Sequence, residues 1–124
     1  MSDGKWLVSK CGGSSLADAS CFRRVADILA DGQQNRHAVV VSAAKGVTDI
    51  LMHCLDLAEH AGGNLSDALK PAIGRYTSIA EELLDENSCA EFVDILERDG
   101  QDLADILRAI SLSSSAASIS RDVV

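Results

Sequence analysis

The 124-residue chain reads as an α/β protein, with a parallel sheet at its N-terminal end and helices after it. Three observations predict that class. Two short apolar runs, residues 6–10 and 37–43, each lead into a turn that carries glycine. A stretch with helical spacing lies between them, giving the strand–crossover–strand order that builds parallel pairs. Beyond residue 64 the apolar residues recur at helical spacing only.

The first run, WLVSK, ends at Gly12-Gly13 and predicts a strand followed by a tight turn. Ser14, Ser15 and Asp18 are all competent N-caps for the helix that follows. Phe22, Val25, Ala26, Ile28 and Leu29 repeat at helical spacing, and Asp31-Gly32 closes the segment. The second run, HAVVVSA, is β-branched without polar alternation, as expected of a strand buried on both faces. Gly46 turns the chain. Val47, Ile50, Leu51, Cys54, Leu55 and Ala58 then share one helical face, which Gly62-Gly63 ends. Leu69, Ala72, Ile73, Tyr76, Ile79, Ala80 and Leu83 form the next stripe, with Pro71 near the first turn or at a kink. Phe92, Ile95, Leu96, Leu103, Ile106, Leu107 and Ile110 continue the pattern, and Gly100 is a candidate break between two helices. The serine-rich close, residues 111–124, has linker composition but fits a helix as well. No internal repeat is present.

Two strands do not make a stable open sheet. The residues are therefore expected to be the first part of a larger α/β domain, residues 1–124 of it, or a piece that pairs with another copy.

Composition narrows the partners. A formal net charge of −8 disfavours nucleic acid and anionic membranes, whose phosphates need a basic patch. It leaves a nucleotide open, because a few local donors suffice for that. Cys11, Cys21, Cys54 and Cys89 are widely spaced, with no Cys-x-x-Cys pair. With no signal-peptide pattern they are expected to be reduced thiols of a cytoplasmic protein. No apolar run approaches the roughly 20 residues that span a bilayer. His53 and His60 stand two helical turns apart, but no carboxylate or thiol completes a metal set, so no metal site is expected.

The glycine turns carry the chemistry. An anion at a helix N-terminus meets unpaired N–H groups and a partial positive charge. Glycines let the backbone approach such an anion closely. Lys10 adds a point charge at the strand end, and Ser14 and Ser15 add hydroxyls. The spacing is neither Gly-x-x-x-x-Gly-Lys-Ser/Thr nor Gly-x-Gly-x-x-Gly, since here the lysine precedes the glycines. The second strand repeats the logic in SAAKGVTD, residues 42–49, where Ser42 and Thr48 are both possible caps. Two adjacent parallel strands ending alike aim both turns at one crevice, the usual ligand position in open α/β sheets.

Taken together, KCGGSSLADASCFRRVADIL and VVVSAAKGVTDIL resemble the aspartokinase family, whose members open with Lys-Phe-Gly-Gly-Thr/Ser-Ser and continue with Val-Val-Ser-Ala-x-x-Gly-Val-Thr-Asp. The tail SISRDVV is similar to the approach to that family's next glycine–glutamate motif. The resemblance implies an amino-acid-kinase-like three-layer fold with a mostly parallel sheet, of which this chain holds only the first part. It implies transfer of the ATP γ-phosphoryl group to the side-chain carboxylate of L-aspartate, the first step toward lysine, threonine and methionine. Such transfer rests on positioning and charge neutralisation. By motif position, Lys10 neutralises the phosphates as the catalytic cation, and Gly12 and Gly13 offer backbone N–H groups to them. Ser14 and Ser15 support that loop, Ser42 lies at the reacting centre between nucleotide and substrate, and Thr48 holds the aspartate. Mg²⁺ arrives with ATP.

Three positions depart from the pattern. Cys11 replaces the aromatic after the lysine, Ser14 stands where threonine is common, and Lys45 stands where a small residue is usual. The two-strand count leaves a possible homo-oligomer, and the resemblance implies an isolated chain with little or no turnover. Two other readings stay open: a related kinase acting on another small acid, and a non-catalytic helical interaction module.

Overall fold

A computed structural model describes residues 5–31, 36–60 and 62–123; for residues 118–123 it describes the backbone alone. The chain divides into two compact units, Met1–Gly46 and Val47–Val124.

The first unit holds β1 (Trp6–Cys11), a 3-10 turn (Gly13–Leu16), α1 (Ala19–Asp31) and β2 (Arg36–Val41). β1 and β2 pair in parallel, with Trp6 opposite Arg36 and Cys11 opposite Val41. The helical crossover makes that direction possible. Ser9 Oγ and His37 Nε2 lie 2.8 Å apart across the pair. The Arg36 guanidinium sits 5.9 Å from the Trp6 ring centroid, a cation–π contact at the strands' entry end.

Two expectations change here. The valine run is not buried on both faces: Val39, Val40 and Val41 are exposed, as are Trp6, Leu7 and Val8 of β1. Among the described residues the sheet has two strands only, and a parallel strand is buried on both faces only where further layers cover it. Only one of the three cap candidates caps α1. Ser14 and Ser15 fall inside the 3-10 turn, where the Ser15 N–H donates to the Gly12 carbonyl at 3.0 Å. The Asp18 carboxylate accepts the Cys21 N–H at 2.9 Å. That hydrogen bond holds the Asp18 carboxyl below the usual carboxylate range. Gly32, the expected stop of α1, lies outside the described residues.

The second unit is helical: α2 (Val47–Glu59), α3 (Leu65–Leu83) and α4 (Glu86–Val123). Its core joins Cys54 and Ala58 of α2, Leu65 and Leu69 of α3, and Ala104 and Leu107 of α4. Burial pushes the Cys54 thiol up, which keeps it protonated and inert. All four cysteines are free thiols. After α2, the Gly62 N–H donates to the Leu57 carbonyl at 2.9 Å, and Gly63 takes a φ of 74° that favours glycine. Asn64 caps α3, accepting from the Asp67 N–H at 3.2 Å. Pro71 sits in the second turn of α3, inside the helix and beyond the first-turn position where a missing N–H goes unnoticed. Asp85 caps α4 through the Ser88 N–H at 2.8 Å.

Gly100 does not break the last helix, and α4 runs through it for 38 residues, taking in the serine-rich close. A Cβ at Gly100 would stand 2.6 Å from Ile73 Cδ1 of α3. The glycine is there to let α3 and α4 approach each other. A local breaker signal cannot reveal that purpose, because the neighbour lies 27 residues away in the chain.

Candidate functional site

Both strands leave the sheet at the same end, since they run parallel, and their loops are joined there. The Ser42 N–H donates to the Cys11 carbonyl at 3.1 Å, extending the β ladder by one residue. Further on, the Lys45 N–H reaches the Leu16 carbonyl at 3.4 Å. A Cβ on Gly13 would lie 3.8 Å from Lys45 Cα and 3.9 Å from the Ala43 carbonyl oxygen. Leu16 and Ala44, at 3 % and 2 % exposure, are the buried anchors beneath the two loops. The sequence marks neither residue as special, because a lone Leu or Ala carries no periodic signal at this length.

Five of the seven expected site residues, Gly12, Gly13, Ser14, Ser15 and Ser42, belong to this joined pair of loops, and a sixth, Lys10, lies at the end of the strand that feeds the first of them. Lys10 is exposed in β1, opposite Val40. Gly12 enters the 3-10 turn in extended conformation, φ −82° and ψ 178°. Gly13, Ser14 and Ser15 form the turn, with both serines exposed. Ser42 is exposed at the end of β2, and its hydroxyl donates to the Ala43 carbonyl at 3.1 Å. The seventh, Thr48, is the second residue of α2 and belongs to the helical unit. Neither Ser42 nor Thr48 acts as the cap considered for α2: the helix has already begun at Val47, and the Ser42 hydroxyl is turned to a carbonyl.

The feature expected to attract an anion, a helix N-terminus at the glycine pair, is not what the structure places there. The Gly12-Gly13 pair opens a single 3-10 turn, not an α-helix, and Asp18 already occupies the N-terminus of α1. A helix dipole at this loop is therefore not the main attraction. What remains is the Lys10 charge and a backbone that lies open. Gly12 has a negative φ and a Cβ there would meet nothing within 4 Å, while one on Gly13 would make ordinary contacts. Neither glycine is demanded by crowding among the described residues. Gly46 is demanded: its φ of 86° lies in the left-handed region. Among the described residues no cluster of three or more His, Cys, Asp or Glu side chains forms, and no helix is long and apolar enough to cross a membrane.

Comparison with known proteins gives the family. The model of the amino acid kinase family matches residues 5–120, and the chain belongs to that family. It is 31 % identical over 119 residues to a chloroplastic bifunctional aspartokinase/homoserine dehydrogenase of Daucus carota, covering 96 % of this chain and 13 % of that protein. It is 41 % identical over 92 residues to the aspartokinase of Chlamydia trachomatis serovar D, covering 73 % of this chain and 20 % of that one. Among solved structures, the aspartate kinase of Clostridium acetobutylicum matches with a TM-score of 0.59 at 29 % identity, over 77 % of this chain and 23 % of that one. The chain thus spans about a fifth or less of the curated aspartokinase relatives named here. Two parallel strands followed by helices are an amino-acid-kinase-like α/β arrangement, as the two motifs lead one to expect.

Proposed function

We propose that the chain carries the phosphate-facing and substrate-facing loops of an aspartokinase catalytic domain, residues 1–124 being its N-terminal part. The reaction is transfer of the ATP γ-phosphoryl group to the side-chain carboxylate of L-aspartate, giving 4-phospho-L-aspartate and ADP. Lys10 neutralises phosphate charge, and Gly12, Gly13, Ser14, Ser15 and Ser42 bound the nucleotide's phosphates. Ser42 and Thr48 address the aspartate. Mg²⁺ is carried on the nucleotide.

The observation that carries this reading is the joining of the two strand-end loops, which puts Lys10, the paired glycines and Ser42 on one sheet edge. The glycine pair supports it further. Since the described fold does not require glycine at position 12, an unobstructed backbone for a ligand is the physical use left to it. The relatives named aspartokinase favour aspartate over other small acids, as does the Gly46-Val47-Thr48-Asp49 sequence at the start of α2.

Titration of the chain with MgATP, read by broadening of the ³¹P resonances, tests the phosphate site. Lys10→Ala is expected to weaken binding about tenfold, the loss of one charge-assisted contact. Unaltered binding in that variant, or no broadening at millimolar MgATP, overturns the assignment. Hydroxylamine trapping of acyl phosphate tests the partial-domain reading: the chain alone is expected to form little or no product from aspartate. Full turnover refutes that part, and product from glutamate alone moves the substrate to another acid.

A further inference from the structure

Acidic residues are unevenly distributed. The chain holds 19 of them, yet none falls between Lys5 and Ala17 or between Gly32 and Thr48. Those two stretches contain Lys5, Lys10, Arg36 and Lys45. They are also the segments that supply both strands and both strand-end loops. In a chain with a net charge of −8, the two strands and their strand-end loops themselves carry basic residues and no carboxylate, a distribution whose local field favours anions.

Lys45 is placed to use that field. Its backbone is fixed against the glycine loop, through its N–H to Leu16 and through the approach of Gly13 to its Cα. Ala44 before it is buried, so the segment is anchored while the Lys45 side chain stays exposed. The left-handed turn at Gly46 then leads the chain away. No described carboxylate pairs with Lys45, in contrast to Lys70, which holds Asp67 at 2.8 Å. A four-carbon stem rooted on Gly13's neighbour gives its ammonium group free range over the loop that begins at Gly12.

We propose that Lys45 is a second phosphate-binding cation of this site, acting with Lys10 as a two-lysine clamp on the nucleotide's polyphosphate. The proposal rests on the phosphate-site reading of the Gly12-Gly13 loop and assigns a residue that the motif pattern leaves small. Lys10 comes from the end of β1 and Lys45 from the loop after β2, so an anion held between them also ties the two strand ends together.

The test is the same MgATP titration, run on Lys45→Ala, Lys45→Arg and Lys45→Glu beside Lys10→Ala at low and high salt. Lys45→Ala is expected to raise the dissociation constant about three- to tenfold, with Lys45→Arg near the parent and Lys45→Glu weaker than Lys45→Ala. The gap between parent and Lys45→Ala narrows as salt rises, because exposed charges are screened. Parent-like binding by Lys45→Ala, alongside a clear loss in Lys10→Ala, overturns this inference and leaves the phosphate site standing. Loss in Lys45→Arg equal to that in Lys45→Ala also overturns it, because the effect is then not one of charge. If Lys10→Ala binds like the parent, or the parent binds no MgATP, the functional reading falls and this inference falls with it.

Discussion

The strand-bearing unit and the helical unit solve burial in opposite ways. In the helical unit, Leu69 is 3 % exposed and sits among Cys54, Ala58, Leu65, Ala104 and Leu107, drawn from three helices. In the strand-bearing unit, Val40 at the middle of a β-branched run is 53 % exposed. The helices find partners in their own sequence neighbourhood, so their apolar faces close on each other. The strands have edges and faces that only further layers can cover. The contrast separates two uses of apolar residues: one set makes stability, and the other set positions loops and leaves its stability to whatever covers it.

The largest expected effect probes that contrast directly. Leu69→Ala should cost about 2–5 kcal/mol in denaturant unfolding, the range for emptying a closed core site. At the other extreme, Val40→Thr, of equal shape, should change stability by less than about 0.5 kcal/mol. Comparable losses in the two variants would break the contrast and show that the sheet face is closed in solution.

Next in size are the glycines, which separate folding from ligand approach. Gly46→Ala should destabilise by about 1–2 kcal/mol, because an L side chain is strained at its φ of 86°. Gly12→Ala should be neutral or stabilise by about 0.4–1 kcal/mol, since its φ is negative and the added methyl meets nothing. The same variant should weaken MgATP in the ³¹P titration. A Gly12→Ala protein that loses stability while keeping its MgATP affinity reverses the roles given to these two glycines.

The smallest effect is common to both units. Asp18 and Asp85 each accept a backbone N–H at a helix start, and each is held below the usual carboxylate range by that bond. Folded-state values below the unfolded ones mean that their contribution is complete above the unfolded carboxylate pKa, about 4. It is lost as pH falls through the depressed folded values. Melting curves of Asp18→Asn and Asp85→Asn should therefore fall below the parent at pH 7 and converge with it in strong acid. A gap that stays constant with pH would remove the charge from the account and leave only the capping geometry.

Much of the architecture was legible because it is local. Phe22, Val25 and Leu29, or Leu69, Ala72 and Ile79, declare helices through their spacing, and the β-branched run at 38–41 declares a strand. The meeting of the two glycine loops was legible too, since parallel pairing with a helical crossover brings the ends of both strands, with Lys10, Gly12, Gly13, Ser14, Ser15 and Ser42, to one end of the sheet. Choosing among Ser14, Ser15 and Asp18 as the cap of α1 was not, because all three have the right chemistry and the 3-10 turn decides which one stands at the start.

By itself, then, the sequence determined the order of strands and helices, the parallel crossover, and the residue types at the two glycine turns, all of which follow from short-range spacing and backbone preference. Tertiary structure alone decided that Gly100 is a packing contact against Ile73, that the valines of β2 stand exposed, and that the Lys45 backbone rests against Gly13. Those outcomes depend on which atoms meet across long stretches of chain, and no periodicity along the chain encodes that.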